Sequence, residues 1–386
     1  MTTEPPVHDW AWPRYDSAGL GDVLPSVLSS LGVRPDPESV TSRLALPEMD
    51  RAVVVLVDGL GDRLLRRRAG HTPFLRSLLP TALTVGAGFP TTTATSMASF
   101  GTGLPPGAHG LVGYEVRVPG TGRMLNELSW EGGPVPEEWQ PHTTVFEQAV
   151  AAGLVTTRIG PGFFEGSGLT RAALRGGGFV GAEDLSSRVD AAVACAATPR
   201  SLTYLYWGEV DKIGHVHGCE SWQWGDEVAA VDAELDRLAH SLPAGTGLVI
   251  TADHGMVDVP TENVLDAAFD PVLTAGVERI AGEPRSPQVY ALPGAAADVC
   301  GRWRDRLGGR AQVLCRDEAV AAGLFGPVAE RVLPRIGDVV VLMRAGHSVV
   351  DSRVHRPELI ALRGVHGSLT ADEVDIPILS LSVSSR

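Results

Sequence analysis

The sequence predicts an α/β protein in which a mostly parallel sheet is sandwiched between helices and a small α+β cap is inserted late in the chain. Three observations predict it. Short β-branched runs alternate with Ala-rich helical stretches, the arrangement that gives crossover-connected parallel strands. The runs are continuously apolar rather than alternating, as strands buried on both faces are. Between about 267 and 340 that rhythm breaks, and short strand-like pieces flank a helix containing Arg and Trp.

Taken in order, residues 1–45 are rich in Pro and Ser, with one helical stretch near 19–32, and read as an N-terminal arm packed on the core. Residues 52–57 form the first buried strand, closed by Asp58-Gly59. Further strands are expected at 202–207, 247–251, 338–343 and 376–381, with helices at 145–152 and 227–240. In the cap, 267–340, strand-like pieces at 288–292 and 311–314 surround a helix at 295–307 before the strand at 338–343 returns to the core. The whole chain, 1–386, reads as one catalytic domain carrying that insertion.

Of the 386 residues 44% are hydrophobic, enough for a substantial core, and the formal charge is −14. That balance argues against a nucleic-acid polymer or an anionic membrane as partner, since both reward clustered Lys and Arg. Lys212 is the only lysine. An anionic substrate therefore needs local positive charge. The start of the chain has no basic-then-apolar leader pattern, no run approaches the ~20 apolar residues of a membrane span, and a cytoplasmic location is the default expectation. Cys195, Cys219, Cys300 and Cys315 fall at no metal-binding spacing and are expected to be reduced thiols.

The candidate chemistry lies just past strand ends, where open α/β sheets bind ligands. Asp58 follows 52–57, Asp211 follows 202–207 and Asp253 follows 247–251. Asp211-x3-His215, on a short loop, offers a carboxylate and an imidazole to one ion, with His217 an alternative to His215. Asp253-His254-Gly255 places two donors side by side, and His366 stands between Val365 and Gly367. Gly59-Leu60-Gly61 resembles the start of a dinucleotide fingerprint, but Leu64 occupies the third glycine position. The remaining histidines, His8, His71, His109, His142, His240, His347 and His355, read as structural.

Phe89-Pro90-Thr91-Thr92-Thr93-Ala94 is an extended entry into a helix of small residues stopped by Gly101 and Gly103. A hydroxyl at that helix start faces free backbone N–H groups suited to a phosphate oxygen. A threonine attacks only when its proton is removed, so the segment needs the Asp and His groups.

In segments 53–61, 89–114, 206–218, 248–257 and 364–368, in this order, the chain resembles the alkaline phosphatase superfamily, and most closely its nucleotide pyrophosphatase/phosphodiesterase branch. The resemblance implies an alkaline-phosphatase-like fold and a two-metal hydrolase of small phosphate esters that works through a phospho-threonine intermediate. It makes Thr93 the nucleophile, places Asp58, Thr93, Asp253 and His254 around one Zn2+, and places Asp211, His215 and His366 around the other. Mn2+ accepts the same donors.

Two positions depart from the branch. Ala94 stands where it commonly has an aromatic, and Tyr114 stands where it often has an asparagine; the Tyr114 hydroxyl is expected to donate to a phosphate oxygen instead. No Cys/Ser-x-Pro-x-Arg segment of the sulfatase branch is present. A phosphodiesterase is the leading expectation, with a phosphomonoesterase or phosphomutase of the same superfamily, or a non-catalytic metal-binding protein, as alternatives. Lys212 or Arg285 is the expected source of an extra cation, and the cap with residues 126–130 is expected to shape the substrate pocket.

Overall fold

The computed structural model describes residues 10–34 and 42–384. His8 and residues 1–9 and 35–41 of the expected arm lie outside the described residues.

Seven strands build the main sheet: β1 (Arg51–Val57), β2 (Leu83–Gly86), β3 (Val155–Gly160), β4 (Gly178–Gly181), β5 (Ser201–Trp207), β6 (Thr246–Thr251) and β11 (Asp375–Ser382), in the order β2-β11-β6-β1-β5-β3-β4. From β6 to β4 every pairing is parallel. Ala52 to Val57 of β1 are fully buried, as a β-branched central strand covered on both faces must be. β11 alone runs antiparallel to its neighbours. Its N-terminal end therefore lies at the edge where the parallel strands finish, which carries the segment entering it, residues 366–374, to that same edge.

Helices α1 (Val23–Ser30), α2 (Thr93–Thr102), α3 (Gly168–Ala173), α4 (Leu185–Ala196), α5 (Glu209–His217) and α6 (Trp222–Ser241) surround the sheet. α6 begins earlier than the sequence suggested because the Ser221 hydroxyl caps it, accepting from Trp224 N–H. In α2, Gly101 is interior rather than terminal. A Cβ there would sit 1.9 Å from the Ala173 carbonyl oxygen, so the glycine lets α2 and α3 touch, and Gly103, at φ 73°, ends the helix. The arm is joined to the core by a bridge from Trp10 to Thr370 and by the Tyr15 hydroxyl, which donates to the Leu324 carbonyl.

A second, antiparallel sheet contains β7 (Val277–Glu283), β8 (Ser286–Ala291), β9 (Ala311–Cys315) and β10 (Val339–Met343) in the order β7-β8-β10-β9, covered by α7 (Ala296–Leu307). Here the structure corrects the sequence reading: the strand expected at 338–343 does not return to the main sheet but pairs between β8 and β9. A buried apolar run identifies a strand without saying which sheet owns it, and Val339 and Val341 face a separate core around Trp303. A boundary at 340 thus cuts a strand of the second sheet. The expectation of four reduced cysteines is also corrected: Cys300 of α7 and Cys315 of β9, with Cα atoms 5.8 Å apart, form a disulfide, while Cys195 and Cys219 are free.

Among the described residues no helix is long and apolar enough to cross a membrane.

A candidate metal centre beside an apolar cavity

Asp58 leaves the end of β1 and is buried. Gly59 follows at φ 71°, where a Cβ would lie 3.0 Å from Asp211, so the tight glycine turn lets the β1 and α5 segments meet. It serves the approach of carboxylates, not a dinucleotide. Asp211 and His215 lie on α5 rather than on the expected loop; their i, i+4 spacing puts them on one helical face, with His215 Nε2 3.2 Å from Asp211 Oδ2. His217, two residues further along, is exposed. Asp253 and His254, two residues past β6, are fully buried. His366 follows a two-residue strand, Gly364–Val365, which pairs with Val257–Asp258.

These groups converge. His254 Nε2 stands 3.3 Å from Thr93 Oγ1, 3.5 Å from Asp58 Oδ1 and 3.4 Å from Asp253 Oδ2. His366 Nε2 is 3.3 Å from His215 Nε2 and 3.7 Å from Asp211 Oδ1, and its ring stacks on His254 with centroids 3.9 Å apart. Asp58, Asp253 and His254 each bring a ligand atom to within 4.8 Å of the others, and so do Asp211, His254 and His366.

The three imidazoles are oriented alike. Each Nδ1 meets a backbone carbonyl: His215 that of Gly364 at 2.7 Å, His366 that of Thr91 at 2.7 Å and His254 that of Gly255 at 3.1 Å. A carbonyl can only accept, so each Nδ1 carries a proton and Nε2 is the nitrogen that each ring turns to the cluster.

Asp58 Oδ1, Asp211 Oδ1 and Asp253 Oδ2 are buried with no hydrogen-bond donor. Burial, reinforced by Asp253 and Asp211, holds the Asp58 carboxyl well above its usual range, and burial likewise raises Asp253. Burial also works against the Asp211 carboxylate, yet His215 holds that carboxyl low. Orphaned carboxylate oxygens facing imidazole Nε2 atoms fit divalent-cation binding, because no arginine or lysine among the described residues pairs with them.

Thr93 is the first residue of α2 and the only residue of that helix that is not fully buried. Its hydroxyl lies 3.4 Å from Asp58 Oδ2. The rival threonines are engaged or enclosed. Thr91 Oγ1 donates to the Ser368 carbonyl and accepts from Gly367 N–H, Thr92 Oγ1 donates to Glu283 Oε1 at 2.6 Å, and Thr95 is buried.

Beside Thr93 opens a cavity of about 530 Å³ whose wall includes Asp58 and Asp211 together with Tyr114, Arg158, Phe164, Phe179 and Tyr206. Asn126, Leu128 and Ser129 line it, in line with the expectation for 126–130, but no described lining residue comes from 267–340. The second sheet instead buttresses the site through Glu283 and Thr92. Neither expected cation reaches the cavity: exposed Lys212 pairs with Glu209, and fully buried Arg285 donates to Glu373 at 2.8 Å. A larger groove, about 970 Å³, runs between the arm and the core past Trp10, Tyr15 and Arg43 and contains none of the clustered Asp and His groups.

Sequence reasoning missed Tyr206, whose hydroxyl donates to Asp58 Oδ2, and Arg158. For Tyr206 the parallel register was a usable signal, since Tyr206 is the partner of Leu56, two residues before Asp58 leaves β1. Nothing in the sequence around Arg158 singles it out.

A family profile described as type I phosphodiesterase / nucleotide pyrophosphatase matches residues 52–369. Ectonucleotide pyrophosphatase/phosphodiesterase family member 7 of Mus musculus and of Rattus norvegicus are each 42% identical over 64 residues, a match covering 15% of this chain and 15% of each relative. Among solved structures, murine ectonucleotide pyrophosphatase / phosphodiesterase 5 superposes with a TM-score of 0.69 at 18% identity, covering 85% of this chain and 87% of that one. Phosphonoacetate hydrolase from Sinorhizobium meliloti 1021, in complex with phosphonoformate, gives a TM-score of 0.66 at 20% identity, covering 89% and 93%. At such identities the likeness is one of fold.

Proposed function

This chain belongs to the type I phosphodiesterase / nucleotide pyrophosphatase family, and from that premise we propose that it hydrolyses small phosphodiesters at Thr93 with the help of two divalent cations, zinc by preference. The observation that carries the reading is the meeting of three orphaned carboxylate oxygens and three inward-turned imidazole Nε2 atoms around the one accessible hydroxyl of α2. Asp58, Asp253 and His254 would hold one ion with Thr93, and Asp211, His215 and His366 the other; manganese suits the same donors. When bound, such ions lower the pKa of an attached oxygen and neutralise charge on the phosphoryl group and leaving oxygen.

The protein's own residues do the rest. Thr93 Oγ, its proton released to water, forms the new bond to phosphorus as the bond from phosphorus to the leaving oxygen breaks, and that oxygen departs with the electron pair. The phosphoryl group is then held on Thr93 until water takes it. The opening of α2 aims backbone N–H groups at a phosphoryl oxygen. Tyr206 fixes the Asp58 carboxylate by donating to Oδ2 and leaves Oδ1 for the cluster. The Tyr114 hydroxyl, on the cavity wall, would donate to a phosphoryl oxygen.

Three carboxylates plus a Thr93 alkoxide balance two divalent ions, so the loaded site is near neutral. A singly charged diester suits it better than a dianionic monoester. Of the relatives, murine ectonucleotide pyrophosphatase / phosphodiesterase 5 has been solved as an inactive variant in complex with AMP. The test is to assay bis(p-nitrophenyl) phosphate beside p-nitrophenyl phosphate with zinc or manganese added. Faster turnover of the diester is expected. A monoester preference would make the protein a phosphomonoesterase, and silence towards both with metal bound would sink the hydrolase reading.

A further inference from the structure

Arg158 lies on β3, two strands from the central β1, and faces Tyr204 of β5 in the parallel register. Among the described residues lining the cavity beside Thr93 it is the only cation. Two arginines elsewhere in this protein are fully engaged, although buried Arg335 also leaves its Nε without an acceptor. Arg188 donates to the carbonyls of Ala182, Tyr206 and Glu183 at 2.7, 2.8 and 3.0 Å, and Arg285 meets Glu373 through two nitrogens.

Arg158 differs. Its Nε is buried without an acceptor, and its one hydrogen bond runs from Nη2 to the Gly177 carbonyl at 3.4 Å, the weak end of the range. The Phe179 ring, 5.8 Å from the guanidinium carbon, backs it. Burial draws its pKa down and Glu165 only partly offsets this, yet a guanidinium remains charged at any physiological pH. An under-bonded cation is thus held at the wall of a largely apolar cavity, in a protein of net charge −14 whose cluster beside it supplies Asp58 and Asp211.

The remaining wall rewards apolar surface. The Phe164 and Tyr206 rings stand 5.6 Å apart, and Met97 and Leu174 complete it. A ligand that only filled this space would leave Arg158 desolvated and unpaired, which is costly; one that ended in an anion would give it a fork-shaped pair of hydrogen bonds.

We propose that Arg158 recognises a second anionic group of the substrate, a carboxylate or a phosphate-like group, joined by an apolar body to the phosphoryl group that sits at Thr93. The inference rests on the diesterase reading above and names the substrate class for that same site.

The experiment compares three p-nitrophenyl diesters whose second ester group is phenyl, 4-carboxyphenyl or 4-phosphonophenyl, in wild type, Arg158→Met and Arg158→Lys. Wild type is expected to favour an anionic ester over the phenyl ester by about tenfold or more in kcat/KM, the size of a charge-assisted pair. Arg158→Met is expected to compress that preference to about threefold or less, and Arg158→Lys to keep part of it. Which anionic ester leads decides between carboxylate and phosphate-like recognition.

Calorimetric binding of the same esters to Thr93→Ala, and to Thr93→Ala combined with Arg158→Met, reads recognition without turnover. An equal preference in wild type and Arg158→Met overturns the proposal. So does a uniform loss for all three esters, which would make Arg158 a support of the cavity wall. If Arg158-dependent binding of the anionic esters persists while metal-loaded wild type turns over no diester, the diesterase reading fails and the recognition stands. Diester turnover with no Arg158-dependent preference does the reverse.

Discussion

Thr93 stands between two walls built on opposite principles. One is the cluster of Asp58, Asp211, Asp253, His215, His254 and His366, where every imidazole is oriented by a backbone carbonyl. The other is the cavity lined by Phe164, Phe179, Leu174 and Met97, where apolar surface dominates and a single arginine interrupts it. The polar wall is fixed by the sheet, since each ligand segment leaves a strand end or enters β11 at the same edge. The apolar wall is assembled from the β3 to β4 connection, residues 126–129 and the middle of β5. On the reading proposed above, the first would hold the phosphoryl group of any ester and the second would choose among esters.

The largest separation of the two walls comes from the hydroxyl that joins them. Replacing Thr93 by Ala removes the attacking oxygen and leaves all six Asp and His groups, so turnover should fall by roughly 10³-fold or more while elemental analysis finds the metal content largely kept. Thr93→Ser, which keeps a hydroxyl but not the methyl that restricts its rotamer, should retain part of the rate. A near-wild-type rate for Thr93→Ala in folded, metal-loaded protein would move the nucleophile elsewhere.

Next in size is the polar wall alone. About two divalent ions per chain are expected in the purified protein, and His366→Ala should lower that number while His217→Ala, altering an exposed side chain on the same helix as Asp211, should not. Stripping the metal should lower the melting temperature by several degrees, since ions bound only to the folded state at ~1,000 times their Kd contribute about 4 kcal/mol. An unchanged melting curve after complete removal would mean that the carboxylates are tolerated without a cation.

The contrast between the walls also explains what could be read from the sequence. Every proposed ligand belongs to a short motif next to an apolar run, so chain order and strand ends were enough to nominate Asp58, Asp211 and Asp253. That Asp211 and His215 share a helix rather than a loop did not matter, because i, i+4 spacing brings them together anyway. The apolar wall left no such trace. Phe164, Phe179 and Arg158 are ordinary residues of a connection and two strands, made significant only by the pairing of β3 with β4 and β5. The second sheet was misjudged for the same reason: apolar periodicity located β10 but could not report its neighbours, β8 and β9.

A smaller effect should follow from the apolar wall. Phe164→Ala removes a ring that sits 5.6 Å from Tyr206 and borders the cavity, without touching the Asp and His groups. The kcat/KM for bis(p-nitrophenyl) phosphate should fall by about tenfold relative to that for methyl p-nitrophenyl phosphate, which has no second ring to pack, while metal content stays constant. Equal losses on both esters would place the bulky group outside this cavity.

The smallest change in rate is expected at Thr92, and it tests where the polar wall ends. Thr92 immediately precedes Thr93, but its φ and ψ are extended and its side chain makes no cap bond to α2. Its hydroxyl instead donates to Glu283, at the end of β7, so it bonds the second sheet to the entry of α2. Thr92→Ala leaves a buried carboxylate with one donor fewer, a change of about 1–3 kcal/mol in stability. Activity should stay within a few-fold of wild type, because no cluster ligand depends on that hydroxyl. Thr92→Ser, able to make the same bond, should recover most of the stability. If Thr92→Ala abolished turnover with its melting temperature unchanged, the reacting hydroxyl would lie one residue earlier, and the polar wall would have to be rebuilt around Glu283 rather than Asp58.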